Sequence, residues 1–262
     1  MIKGIVFFDY DGTLTDENKG IYRPSEITKN AIKTLQENGY MAVLATGRGK
    51  SYLPETGINF DAFVMNNGAY VEYEGKEIFG YYIDEKIVDE LIEDMDKLNL
   101  AYGFDAKESS YTKDYDIPLF KGMAENFDLP RSAFAPLDEM NKKQVCKLIM
   151  AYNDPKEIEE LEEKYKGILV FDKHRKFYSC DISRFGVHKG IGIKKLADTL
   201  NVDMENTYAF GDGTNDYDMM KTVAHGVALK DHAGILDEVV EFVTETVENN
   251  GVAEGLKTLK LI

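Results

Sequence analysis

The strongest constraint in this chain is a short β-rich apolar run, Ile2 to Phe8, that breaks directly into Asp9-Tyr10-Asp11-Gly12-Thr13. An apolar run closed by a Gly-containing polar turn reads as a buried parallel strand and its carboxyl end. The signature returns. Met41 to Ala45 ends in Thr46-Gly47-Arg48, Ala62 to Met65 in Asn66-Asn67-Gly68, and Thr207 to Phe210 in Gly211-Asp212-Gly213. Gly226 to Leu229 and Glu241 to Thr244 read as two more short strands. A helix is predicted with Pro24 in its first turn, Ile27, Ala31 and Leu35 on one face and Gly39 as its stop. Another carries Ile193, Leu196, Ala197 and Leu200, with Lys189 at its head. Strands alternating with helices in this way predict an open α/β fold with a parallel sheet.

The pattern changes near residue 81. Ile87, Leu91, Met95 and Leu98 mark a helix after Asp84, and Val145 to Tyr152 reads as a strand. Asp154-Pro155 starts a helix with Ile158, Leu161 and Tyr165, closed by Gly167. Ile168 to Phe171 and Lys176 to Ile182 read as a hairpin, with Lys173, Arg175 and Lys176 in or beside a solvated turn. This is α+β character. The expected organisation is a core of residues 1–80 plus 185–262, with an inserted α+β domain at 81–184. The insert returns to the core just before Lys189, so it is expected to act as a lid that excludes water and chooses the substrate.

Open α/β sheets bind ligands beyond the carboxyl ends of their strands. This chain places there Asp9, Asp11 and Thr13, then Thr46, Gly47 and Arg48, then Asn66 and Asn67, then Asp212, Asn215 and Asp216. Carboxylates gathered in this way repel one another, which implies a hard divalent cation with oxygen ligands, most simply Mg²⁺. Asp9 and Asp11, two residues apart, can both reach one reacting group. Phosphate ester hydrolysis requires on the order of 20 kcal/mol or more off the barrier, and a covalent aspartyl-phosphate divides that task. One Asp attacks phosphorus while its neighbour protonates the leaving oxygen and later takes a proton from water. An unperturbed carboxyl is neutral in only about one molecule in a thousand at pH 7. The acid therefore needs a neighbouring carboxylate, and the nucleophile needs Mg²⁺ and Lys189.

Asp9-Tyr-Asp11-Gly-Thr13-Leu-Thr-Asp16 resembles motif I of the haloacid dehalogenase (HAD) superfamily of phosphohydrolases. Ala45-Thr46-Gly47-Arg48 resembles motif II, Lys189-Gly190 motif III, and Gly211-Asp212-Gly213-Thr214-Asn215-Asp216 motif IV. The insert stands where the Cof-type phosphatases carry their type IIB cap, and the resemblance runs on to Gly251-Val-Ala-Glu-Gly-Leu. It implies a Rossmann-like, doubly wound core and a phosphatase of sugar phosphates or similar small metabolites. Asp9 would be the nucleophile and Asp11 the general acid/base, with Thr46 and Lys189 as phosphate ligands. Asp212 would hold Mg²⁺ with a side-chain oxygen of Asp9 and the backbone carbonyl of Asp11. Asn215 and Asp216 would bind phosphate or the metal's water, or orient Lys189. Gly47, Arg48 and Asn66 complete the expected substrate and metal set. Arg48 reads equally well as a tie between core and cap.

Composition narrows the alternatives. Forty-seven acidic residues against 31 Lys and Arg give a net charge of −16, which disfavours nucleic acid and anionic membrane partners. No apolar run approaches the ~18 residues of a membrane span, and the start of the chain lacks a secretory h-region, so a cytoplasmic protein is expected, as a monomer or homodimer that the sequence does not distinguish. Cys146 and Cys180 form no disulfide framework or zinc motif and read as strand or core residues. The four histidines share no metal-ligand spacing. Gly49-Lys50-Ser51 imitates the end of a P-loop, but Leu44 stands where its first glycine is required, and Pro54 follows. A receiver-like signalling domain also gathers Asp, Thr and Lys around Mg²⁺. It needs neither an inserted cap nor an acid/base two residues past the phosphoacceptor. A P-type ATPase would need membrane helices.

Overall fold

The run that opens the chain is β1 (Gly4–Phe8), every residue of it buried. The computed structural model describes residues 2–174 and 177–262, and the chain divides into two units. Unit 1 comprises Met1–Gly47, Pro54–Phe79 and His188–Ile262. Its further strands, labelled in chain order, are β2 (Tyr40–Ala45), β3 (Ala62–Met65), β4 (Tyr70–Tyr73), β5 (Lys76–Gly80), β12 (Thr207–Gly211), β13 (His225–Ala228) and β14 (Phe242–Val243). They form one sheet in the order β14-β13-β12-β1-β2-β3-β4-β5. The six strands from β14 to β3 are parallel, and β4 pairs antiparallel with β3. The β4–β5 extension was not expected from the sequence. It turns at Glu74-Gly75, both with positive φ (51° and 69°), as a hairpin turn of mirror-image type requires.

Helices α1 (Glu26–Glu37), α5 (Lys189–Leu200), α6 (Tyr217–Thr222) and α7 (Gly251–Thr258) complete unit 1. Alternation along β1 sends its side chains to two faces. Ile5 and Phe7 pack in one cluster with Ile193, Leu196 and Ala197 of α5 and Met219 of α6. Phe8 stacks on Phe210, with ring centroids 5.4 Å apart, and a Cβ at Gly255 of α7 would lie 2.4 Å from the Phe210 ring. Pro24 falls outside α1. Ser25 is the N-cap, its hydroxyl accepting the Thr28 N–H at 3.1 Å, a bond worth about 1 kcal/mol. The buried stripe of α1 is Thr28, Ala31, Ile32 and Leu35, while Ile27 is 56% exposed, one position off the predicted face.

Unit 2 comprises Arg48–Leu53 and Gly80–Val187. Its strands are β6 (Ala101–Ala106), β7 (Ser110–Thr112), β8 (Phe134–Pro136), β9 (Val145–Ala151), β10 (Leu169–Lys173) and β11 (Ser179–Arg184), in the sheet order β10-β11-β9-β6-β7-β8. All pairs are antiparallel except β7–β8. Its helices are α2 (Glu85–Lys97), α3 (Pro118–Asn126) and α4 (Glu159–Lys164). One sheet face joins Val88, Leu91 and Met95 of α2 to Phe104, Leu148, Met150, Cys180 and Ile182. Both cysteines are buried and unbridged. Arg175 and Lys176 of the predicted turn lie outside the described residues.

The other face carries buried charge. Lys147 Nζ lies 2.8 Å from Asp181 and 3.6 Å from Asp105, and Asp105 accepts hydrogen bonds from Ser110 Oγ and from the Tyr52 hydroxyl. Burial raises the Asp105 carboxyl, and Lys147 with the two hydroxyls opposes that rise. Ser51 also pairs with Ser110, at 2.7 Å. These contacts explain why the short piece after Gly47, which the sequence placed with the core, groups with unit 2. Lys50–Tyr52 is a single 3₁₀ turn rather than the long helix that a P-loop opens.

Candidate active site

Strand register gathers the motifs. Phe8 stands beside both Leu44 and Phe210, and Ala45 beside Val64. Asp9, Thr46, Asn66 and Asp212 therefore leave the same edge of the sheet, each within two residues of a paired strand position. Asp9, Thr46, Asn66, Lys189 and Asp216 are all buried, whereas Asp11 is exposed.

Lys189 organises the centre. Its ammonium donates to Asp9 Oδ1 at 2.6 Å and to Asp216 Oδ1 at 2.6 Å. It is wholly buried on the first turn of α5. Burial alone would lower its pKa, but Asp216 and then Asp9 more than reverse this and hold it charged. The second oxygen of Asp216 accepts the backbone N–H groups of Asp212 and Gly213, both at 2.9 Å. Asp216 thus orients Lys189 and fixes the turn that carries Asp212. Asp212 in turn accepts the Thr13 hydroxyl at 2.9 Å, a contact the sequence reading left without a role.

Asp9, Asp212 and Asp216 can each turn one oxygen into a common space, all within 4.8 Å of one another. The side chain of Asp11 is not in that group, so any share it has in a metal site falls to its backbone. Desolvation, then Asp216, pushes Asp9 well above the usual carboxylate range. The same two causes push Asp212 up to about 7. Three carboxylates face one ammonium, leaving more negative charge than the pocket carries easily. An all-oxygen donor set with excess negative charge fits a hard divalent cation.

That imbalance sets a stability prediction. Because the folded Asp212 value of about 7 exceeds the ordinary 3.8, the metal-free fold binds the extra proton at low pH and loses this stabilisation as pH rises from about 4 to 7. Asp212→Asn should therefore make the metal-free protein more stable at pH 8, by about 1–3 kcal/mol, and leave it little changed at pH 4. Denaturant unfolding in chelator at both pH values measures this. A variant less stable than wild type at pH 8 would contradict it.

The turn after β3 completes the site. Asn66, Asn67 and Gly68 have successive φ of 51°, 53° and 94°. A Cβ at Gly68 would stand 2.2 Å from the His188 carbonyl oxygen, so only glycine admits this approach to the head of α5. Asn67 donates its backbone N–H to Thr46 O at 3.1 Å, and its Oδ1 accepts from Asn215 Nδ2 at 3.2 Å. Both polar atoms of the Asn66 side chain are buried without a hydrogen-bond partner among the described residues, an arrangement costing about 1–3 kcal/mol unless a ligand or water answers it. Arg48 belongs to the segment that groups with unit 2.

Comparison with known proteins decides the family. The family model described as haloacid dehalogenase-like hydrolase matches residues 6–256. The chain belongs to this family. The Bacillus subtilis protein YkrA is 31% identical to it over 265 residues, covering 98% of each chain. A crystal structure of a protein from Geobacillus kaustophilus HTA426 superposes with a TM-score of 0.87 at 30% identity, covering 99% of each chain. The sugar phosphatase BT4131, of HAD subclass IIB, shares the fold at a TM-score of 0.84 and 21% identity, over 99% of this chain and 100% of its own. The protein is thus a HAD phosphatase with the parallel core sheet and separate mixed sheet of subclass IIB. No helix among its described residues is long and apolar enough to cross a membrane.

Proposed function

We propose that this HAD phosphatase hydrolyses small-molecule phosphate monoesters with Mg²⁺, through an aspartyl-phosphate on Asp9. The observation that carries the reading is the buried Lys189, held at 2.6 Å by both Asp9 and Asp216. It fixes one Asp9 oxygen and opposes the rise that burial and Asp216 impose on that carboxyl. An ammonium has three N–H donors, and two are spent on Asp9 and Asp216, leaving a third for a phosphoryl oxygen. Asp9, Asp212 and the Asp11 carbonyl would hold Mg²⁺, with Asp216 beside them. The bound ion supplies charge that offsets the phosphoryl group and steadies the carboxylates.

In the first step an Asp9 oxygen attacks phosphorus and the ester P–O bond breaks. Asp11, exposed at the mouth of the strand edge, gives its proton to the leaving alkoxide. In the second step Asp11 takes a proton from water, whose oxygen attacks phosphorus and releases inorganic phosphate and Asp9. Thr46, Gly47 and Asn215 are read as phosphoryl contacts. The orphaned Asn66 amide supports a substrate contact there as well. Arg48 keeps its substrate role in this reading on sequence alone. The leaving group is not fixed by relatives this distant. Substrate choice is assigned to unit 2, so substitutions there should re-rank substrates while a small generic phosphate changes less than about tenfold.

The test is phosphate release from a panel of monoesters. Activity should require Mg²⁺ and stop in chelator. Ca²⁺ should inhibit, because its larger, looser coordination allows Asp9 to bind through both oxygens and misdirects the attack. Full activity in chelator, or equal rates with Ca²⁺, would refute the mechanism. A single phosphorylation without turnover would instead favour a phosphate-storing receiver.

A further inference from the structure

The Asn66-Asn67-Gly68 turn meets the loops of Thr46 and Asn215 and the head of the Lys189 helix, and it reaches the two loops through Asn67. The backbone N–H of Asn67 donates to the Thr46 carbonyl at 3.1 Å. Its side chain covers Gly47 so closely that a Cβ there would stand 2.9 Å from Asn67 Oδ1. That Oδ1 accepts the Asn215 Nδ2 hydrogen bond at 3.2 Å, across 148 residues of sequence. The next residue, Gly68, lies against the His188 carbonyl and the Lys189 Cα. One residue therefore joins the loops of Thr46 and Asn215, and its neighbour seats the helix of Lys189.

We propose that Asn67 is a positioning residue of the phosphate site, holding the Asn215 amide with its donor side toward the phosphoryl group. This rests on the reading of Asn215 as a phosphate contact. A primary amide has two nearly equivalent orientations about its last torsion, one presenting N–H groups and the other a carbonyl oxygen. Facing a phosphate dianion, the first attracts and the second repels. In the structure Asn67 turns its Oδ1 toward Asn215, and an amide oxygen can bond only to the nitrogen there, so the pair holds the first orientation before substrate arrives. Gly47 permits this because any larger residue would occupy the space of the Asn67 amide. The positive φ of Asn67 has its own explanation, since asparagine tolerates the left-handed region better than most residues. The backbone and amide roles separate in Asn67→Gly, which keeps the turn and removes the amide.

The test is a double-mutant cycle of Asn67→Gly and Asn215→Ala, with p-nitrophenyl phosphate as substrate, inorganic phosphate as inhibitor and Mg²⁺ saturating. Asn67→Gly should raise KM and the phosphate inhibition constant together by about threefold to tenfold, the worth of one hydrogen bond. Its kcat should stay within twofold and its unfolding midpoint near wild type. In the Asn215→Ala background it should cost nothing further. A purely structural role would lower kcat and the midpoint and leave the phosphate constant unmoved, which overturns the proposal. Losses that multiply in the double variant also overturn it, since Asn67 would then not act through Asn215. If Asn215→Ala alone leaves both constants at wild type, the underlying reading of Asn215 has failed, and the proposal falls with it.

Discussion

Asp9→Asn is expected to lose at least about a thousandfold in turnover, the scale on which an enzyme fails when a group acting as part of a unit is removed. The substitution keeps the shape of the side chain. Its oxygen can still accept from Lys189, so the 2.6 Å contact has a successor and the fold should survive. What disappears is the charge that the proposed mechanism directs at phosphorus and one of the three oxygens that the acidic group can offer to a cation. Both losses fall on the chemical step. Substrate affinity should change far less, because Thr46, Lys189 and Asn215 remain. Steady-state kinetics with a generic monoester, alongside an unfolding curve, separates the cases. A variant that keeps a tenth of wild-type turnover would exclude Asp9 as nucleophile. Asp11→Asn makes the useful contrast. Its side chain lies outside the acidic group, so it should still bind Mg²⁺ as wild type does while losing turnover. A collapse of metal affinity in that variant would show that the carboxylate of Asp11 is itself a ligand.

The candidate site residues were legible because each follows an apolar run or heads a helix, and one strand register then brings those ends together. Asp9, Thr46, Asp212 and Lys189 needed no knowledge of long-range contacts beyond that. Asn67 was not chosen over Asn66, since two adjacent asparagines look alike in sequence. Only the turn geometry shows that one reaches Asn215 and that the amide of the other is sealed in without a partner among the described residues. Thr13 was noticed at the strand end but given no task, because its partner Asp212 lies 199 residues away. The Tyr52–Asp105 bond, spanning 53 residues, drew a piece of chain out of the expected core for the same reason. The β4–β5 hairpin escaped notice because its turn is Glu-Gly rather than the stronger Asn-Gly or Asp-Gly signal. Ile27 shows the converse error. An apolar residue one position off a helix face passes for part of the core until burial is known.

Lys189→Met is expected to damage both activity and stability, and the two effects have one origin. Methionine can fill the buried stem of the lysine, so the packing loss is small. The charge loss is not. Asp9 and Asp216 are left buried, close together and without their shared cation. Removing one partner from a buried ion pair typically costs about 3–5 kcal/mol, because the remaining charge is uncompensated. Without the ammonium that opposes its rise, the Asp9 carboxyl is pushed further toward the neutral form. The metal-free variant should therefore become less stable as pH rises through the range where wild type still keeps Asp9 and Asp216 paired. A protonated Asp9 cannot attack phosphorus, so turnover should fall about as far as in Asp9→Asn even though the nucleophile is still present. The double variant Lys189→Met with Asp216→Asn distinguishes the two effects. Deleting one carboxylate with the ammonium restores the charge balance, so a good part of the lost stability should return. Activity should not, since the donor to the phosphoryl group is still missing. If the double variant is no more stable than Lys189→Met in chelator at pH 8, the ion-pair account of this site is wrong.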